Sequence, residues 1–328
     1  MRIVVHPWLM INHLRIGFAT ARHRISTAMP NSTDWLHSGP GLAPRVAWAF
    51  NTDAELSSLC QARETGDLFA VDLSGGMYRL NCQGRVQTLS RGLRNARLLK
   101  WSDTGEVGVA VCGTHEFCVL DGRMKVAWSS ESPTEVLTAA IDPYGHNVVM
   151  GLDNCDNALL SIDRKKLGQF STAKPLKFIE FCVDKKRICG AAEYGHLCIH
   201  RFDGSEVWSE KIWSTVGDLS ITEGARAIYM AGFAHGVQCF DHRGNTRTSF
   251  VVEGTPSKVA ASYFGERLVV STVERHIYWL DADGALLWAA ETPDDVASLV
   301  CDPLGEWLVV GFASGRILRL DWESGRSK

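Results

Sequence analysis

The phrase Ile-Tyr-Trp-Leu-Asp-Ala-Asp-Gly-Ala-Leu-Leu-Trp, residues 277–288, constrains the fold more than any other stretch of the chain. It reads as a strand, a tight Asp-Gly turn and a second strand. Worn copies of it return at a spacing of 40 residues. Ile188, Ile228, Leu268 and Leu308 share one apolar slot of this register. Asp121, Asp241, Asp281 and Asp321 share a second, and Trp48, Trp128, Trp208 and Trp288 a third. A period of that length in strand-rich sequence predicts a β-propeller rather than a solenoid.

The register divides the chain near 56, 96, 136, 176, 216, 256 and 296, which makes seven units. Each opens on a short apolar strand, with Leu59, Leu99, Ala139, Ile179, Leu219, Val259 and Leu299 in one slot. A slot apolar in every unit is predicted to pack between neighbouring blades. The next slot, Cys60, Lys100, Ala140, Glu180, Ser220, Ala260 and Val300, is mixed and is predicted to line a solvated central channel. Asp- and Gly-bearing turns at 102–105, 142–145, 263–266 and 302–305 reverse the chain into a strongly β-forming second strand. A third strand follows, and an Asp/Gly turn leads to a fourth. Four antiparallel strands cannot bury both faces alone, so the units must stack around an axis.

Closure follows from the last unit, which ends at Lys328 after its third strand. Arg-Val-Ala-Trp-Ala-Phe at 45–50 matches the outer-strand sequences at 125–130 and 286–290, with Trp48 in register. The N-terminal strand is therefore predicted to complete the last blade and remove an open sheet edge. The fold class is all-β: a seven-bladed propeller over 45–328, preceded by an extension over 1–44. That extension carries Arg2, Arg15, Arg22 and Arg24 with no acidic residue before Asp34. It reads as a targeting segment, a disordered or helical extension, or sequence upstream of a true start at Met29. Residues 40–44, with two glycines and two prolines, read as a linker into the first strand.

The strand-turn-Trp phrases at 280–288 and 202–208 resemble the quinoprotein-type (PQQ-like) propeller repeat, in which Trp follows the turn Gly by four residues. Gly284/Trp288 and Gly204/Trp208 keep that spacing. The phrase at 308–321 equally resembles a WD40 repeat, without the Trp-Asp dipeptide. The resemblance covers residues 45–328 and implies propeller architecture. It carries no catalysis over: quinoprotein dehydrogenases use eight blades, adjacent cysteines and an acidic calcium site, and this chain has no adjacent cysteines.

The remaining chemistry is sparse. A net charge of -3 gives no reason to expect nucleic acid or an anionic membrane as partner, and nothing approaches the roughly 18 apolar residues of a membrane span. The ten cysteines, without a C-x-x-C, read as reduced thiols of a cytoplasmic protein, and Cys112/Cys118 and Cys189/Cys198 flank turns as the two pairs open to oxidation. His115, His196, His235 and His276 fall near second-to-third-strand turns on separate units and read as solvated turn residues, not a metal ring. The Trp slot reads as cover for blade edges, with an exposed aromatic strip as the alternative. No hydrolase elbow, phosphate loop or H-E-x-x-H occurs, and no cofactor is implied.

One functional handle remains. The segments leading into the blades carry Asp53, Glu55, Glu253, Asp294 and Asp295 at units 1, 6 and 7, but Arg91, Arg94, Arg97, Lys174 and Lys177 at units 2 and 4, with Glu135 between. A face divided into acidic and basic halves would orient a protein partner. The expected role is a non-catalytic, monomeric interaction scaffold. The alternatives are a small-molecule or metal-dependent enzyme at the channel mouth, drawing on Glu180, Asp218 and Lys258, and a structural subunit marked by an exposed apolar patch.

Overall fold

In a computed structural model, which describes residues 33–322 apart from residue 184, the repeat becomes seven four-stranded antiparallel sheets. Their innermost strands are Leu56–Gln61, Ala96–Trp101, Val136–Ile141, Phe178–Cys182, Val216–Ile221, Pro256–Ala261 and Val296–Cys301, defining blades 1 to 7. Strands run outward in chain order within blades 1 to 6. Blade 7 instead takes Arg45–Asn51 as its outermost strand, antiparallel to Arg316–Asp321 with Phe50 opposite Ile317. The predicted closure is observed. No helix among the described residues is long and apolar enough to cross a membrane.

The core is divided among the seams between blades, and seven buried clusters fill them. The slot of Leu99 supplies one residue to each: Leu59 at the 7/1 seam, Leu99 at 1/2, Ala139 at 2/3, Ile179 at 3/4, Leu219 at 4/5, Val259 at 5/6 and Leu299 at 6/7. Innermost strands are shared by two seams, so truncation there loosens the ring rather than one blade. Leu99→Ala is expected to cost about 2–5 kcal/mol, read as a lowered denaturant midpoint at unchanged slope.

The Asp slot works locally. Asp121, Asp241 and Asp281 each accept two backbone N–H groups from the turn that follows, as from Arg123 and Lys125 at 2.9 Å. These Asx-type bonds set the third-to-fourth-strand hairpin. Asp321, whose blade is completed by the N-terminal strand, binds Arg319 at 2.7 Å instead.

The Trp slot, filled by Trp in four of the seven outer strands, ties three of them to the following blade. Trp48, Trp128 and Trp208 donate their indole N–H to the carbonyls of Cys82, Ile162 and His242, each 34 residues on, in the next blade's last hairpin. Gly84 is required there, because a Cβ would lie 2.5 Å from the Trp48 ring. Trp288 has no such hairpin to reach, since blade 7 takes its outer strand from the N-terminus. Its indole N–H donates to the Leu36 carbonyl at 2.9 Å, 252 residues away.

That carbonyl belongs to a strap that precedes the repeat. The 3-10 turn Asp34–His37 buries Leu36 and sets Trp35 against Trp288 and Phe312, with ring centroids 6.3 and 6.0 Å apart. Residues 39–42 then run along the outer edge of blade 6, where Ala289 N–H donates to Pro40 O and Leu42 N–H to Leu287 O. Gly41, at φ 97°, comes so close that a Cβ would meet Leu287 O at 2.1 Å. Residues 40–42 of the segment read from sequence as a linker are thus hydrogen-bonded to blade 6. The targeting and alternative-start readings concern residues that lie largely outside those described.

Candidate functional site

Side chains alternate along a strand, so the mixed slot lies on the face opposite the Leu99 slot, where Cys60, Ala140 and Val300 also join the buried cluster of the following seam. All seven residues of the mixed slot line one central cavity of about 190 Å³. Its charges are paired across the ring: Lys100 Nζ of blade 2 sits 2.7 Å from Glu180 Oε1 of blade 4. Burial pulls the Lys100 ammonium down, but Glu180, with help from Asp218, outweighs it and the net shift is upward. Asp218 does not line the cavity. It accepts N–H groups from Leu219 and, across the seam, Val259, and burial raises its pKa despite nearby Lys258 and Lys100.

Arg63 and Asp103, 2.8 Å apart, cap the end formed by the first-to-second-strand turns, with the guanidinium 5.4 Å from the Tyr263 ring of blade 6. The Cys60 thiol is pushed up to about 12 by burial, against the pull of Lys100, which leaves it protonated and unreactive near neutral pH. Four charged groups of the cavity are thus engaged with one another, and burial holds both of its thiols, Cys60 and Cys301, in the protonated form. This arrangement holds blades together and offers no activated nucleophile.

The blade-to-blade crossings and the second-to-third-strand turns share the other end of the ring, the crossover face. Most charges assigned to it from sequence are paired. Asp53 meets Arg91 at 2.6 Å, joining the supposed acidic and basic halves. Asp295 meets Arg275 at 2.7 Å, and Lys177 meets Glu193 at 2.7 Å. Arg97 donates to Gly113, Leu137 and Val136 carbonyls and lies 3.8 Å from Glu135. Asp294 accepts N–H groups from Ser314 and Asp295, and Lys174 Nζ donates to the Tyr194 carbonyl. Glu55, Glu253 and Arg94 are exposed and enter no ion pair among the described residues.

The histidines stay apart. His115 and His235 bind the carbonyls of Ser132 and Trp213 on separate blades. His196 and His276 occupy the matching turns of blades 4 and 6, but His196 is buried and His276 half-buried where solvated residues were expected, and burial lowers the His196 pKa.

Sequence reasoning missed an apolar patch on the crossover face. Tyr194 and Trp213 are 69% and 75% exposed, Val251 90%, and Phe233 and Val273 also stand in solvent. They come from three consecutive blades, 4 to 6, whereas Leu73 of blade 1 is exposed alone on the same face. Lys211 Nζ lies 3.8 Å from the Trp213 ring centroid, and His235 bonds the Trp213 carbonyl. The signal was present at Trp213, the only aromatic in a crossing slot held elsewhere by Asp53, Leu93, Pro133, Ala173, Glu253 and Pro293. On the opposite face, Tyr144, Phe264 and Leu304 are exposed singly, on blades 3, 6 and 7.

No family model matches the chain, and no curated protein matches it. Among solved structures it is similar to the β-propeller domain of Myceliophteria thermophila Cps50 (Swd1), with a TM-score of 0.73 and 17% identity. The match covers 85% of this chain and 99% of that one. At that identity the likeness establishes a shared propeller fold.

Proposed function

We propose that the chain is a non-catalytic, monomeric protein-docking scaffold whose working surface is the crossover face. The observation that carries this reading is the exposed cluster of Tyr194, Trp213, Phe233, Val251 and Val273 on three consecutive blades. Exposed apolar groups concentrated in one region mark interaction sites on soluble proteins, and Trp and Tyr dominate binding hot spots. Glu253, Arg94 and Glu55, free of ion pairs among the described residues, supply the rim that orients a partner. Asp53, Asp294, Asp295 and Lys174 shape the same loops through their internal bonds. The ten free cysteines, eight of them buried, support a reducing compartment such as the cytoplasm. A protein partner fits this surface better than nucleic acid, given the overall net charge of -3.

The test is quantitative capture from native lysate with wild type, Trp213→Glu/Phe233→Glu and, as an opposite-face control, Phe264→Glu/Leu304→Glu. The crossover-face variant is expected to lose a stoichiometric partner by at least about tenfold, the scale of one hot-spot residue. The control should retain it. Equal retention by both variants overturns the assignment of this face.

A further inference from the structure

Blade 2 carries a side-chain cluster that neither the docking face nor the channel uses. Cys112 ends the strand Val107–Cys112, and Cys118 lies in the next, Glu116–Asp121. The register sets Cys112 opposite Glu116, and Glu116 opposite Glu131 of the outer strand. Directly opposite residues share a sheet face, as do residues two apart on a strand. Cys112, Glu116, Cys118 and Glu131 therefore occupy one face. It is the face turned to blade 1, since both cysteines pack beside Met77, Leu93 and Ala96.

We infer that Cys112, Glu116 and Cys118 form a binding site for a zinc ion. One ligand atom from each lies within 4.8 Å of the other two, and Cys118 Sγ is 3.5 Å from Glu116 Oε1. Zinc bonds of about 2.3 Å to sulfur and ~2.1 Å to oxygen set a tetrahedral S–O edge at about 3.6 Å. The pair already stands at that spacing. Two thiolates and a carboxylate are a donor set suited to a borderline-soft ion and poor for magnesium or calcium.

A plain S–H to carboxylate hydrogen bond also explains the Cys118–Glu116 contact, but it leaves Glu131 unexplained. Two carboxylates directly opposite on adjacent strands repel, and neither Glu116 nor Glu131 enters an ion pair among the described residues. A cation held between thiols and carboxylates removes that conflict. Glu131 lies outside the group of mutually close ligand atoms, so water completes the coordination. Both thiols are buried and Glu116 is exposed, so the carboxylate stands at the mouth of the site. Uptake of one Zn²⁺ by two thiols releases two protons to solvent and leaves two metal-bound thiolates. Arg97, bonded to the carbonyl of Gly113 beside Cys112, places a positive charge at the same turn.

The test uses the full chain, reduced and stripped with chelator, titrated first with Co²⁺ as optical probe and then with Zn²⁺. One equivalent of cobalt should give a thiolate-to-cobalt charge-transfer band that one equivalent of zinc abolishes. Cys112→Ser and Cys118→Ser should each weaken cobalt binding at least 100-fold, the upper end of the roughly 10- to 100-fold lost when a group that merely orients a ligand is removed. Glu116→Gln changes an exposed residue, so it tests the site even where a cysteine variant fails to fold. It should keep the sulfur band and bind at least about tenfold more weakly. X-ray absorption on zinc-loaded wild type should show two sulfur neighbours. A zinc shell without sulfur, or a stoichiometric site that survives in both cysteine variants, overturns the inference.

Discussion

A chain that begins at Thr52, and so lacks Arg45–Asn51, is expected to lose its cooperative unfolding transition. Removing that strand leaves blade 7 with three strands and the whole of Arg316–Asp321 unpaired on one side. The same strand contacts blade 1: Phe50 packs 5.3 Å from Tyr78, and Trp48 donates to the Cys82 carbonyl. The deletion therefore opens a sheet edge and strips the 7/1 seam together. Losses of that kind are comparable to the ~5–15 kcal/mol that is the entire net stability of a typical domain. An exposed edge of this length also templates aggregation. Chemical denaturation with size-exclusion chromatography checks it. A monomeric product with a sharp, wild-type-like transition would mean that the ring does not depend on its N-terminal clasp.

Trp288→Ala should be the most damaging single substitution outside the innermost strands. Trp288 is fully buried, although three of the four slot tryptophans are only partly so. It packs on Trp35 and on Trp322 at 5.6 Å, and it anchors the strap through the Leu36 carbonyl. Truncation of a buried Trp costs about 3–5 kcal/mol. Here it also unpairs a buried carbonyl, which adds roughly 1–3 kcal/mol. Trp128→Ala, at a half-buried copy of the same slot, should cost clearly less. Paired denaturant titrations decide the matter, and equal losses at the two positions would contradict a special role for the strap. A chain starting at Arg45, compared with one starting at Thr33, should show part of the Trp288→Ala loss, because both remove the Trp35 and Leu36 contacts of Trp288.

These two results also mark where the sequence was legible. The seam slot was legible because Leu99 and its equivalents stay apolar in all seven samples, while the adjacent Lys100 slot varies and meets the channel as well as the following seam. The closing strand was legible because Trp48 keeps the register across the break. The strap was not, because it has no copy elsewhere in the repeat. Leu36 replaces a missing hairpin 252 residues from Trp288, and periodicity is blind to a unique contact.

The pairing of charges on the crossover face was hidden for a related reason. Summing charges along the crossings omits Arg275 and Glu193, which lie in second-to-third-strand turns and fold onto the same face as Asp295 and Lys177. Even within the crossings, Asp53 and Arg91 neutralise one another across the boundary between the halves. The apolar patch escaped notice because Tyr194, Trp213, Phe233 and Val251 are far apart in sequence and occupy different slots. Only closure of the ring brings their turns to one side.

The most direct measurement of the docking reading is hydrogen exchange on the captured complex against the free chain. Protection is expected in the turns at 193–195, 211–215, 233–235 and 251–255, with the turns at 142–146, 262–266 and 302–306 unchanged. Protection confined to the latter set would place the partner on the opposite face and contradict the account.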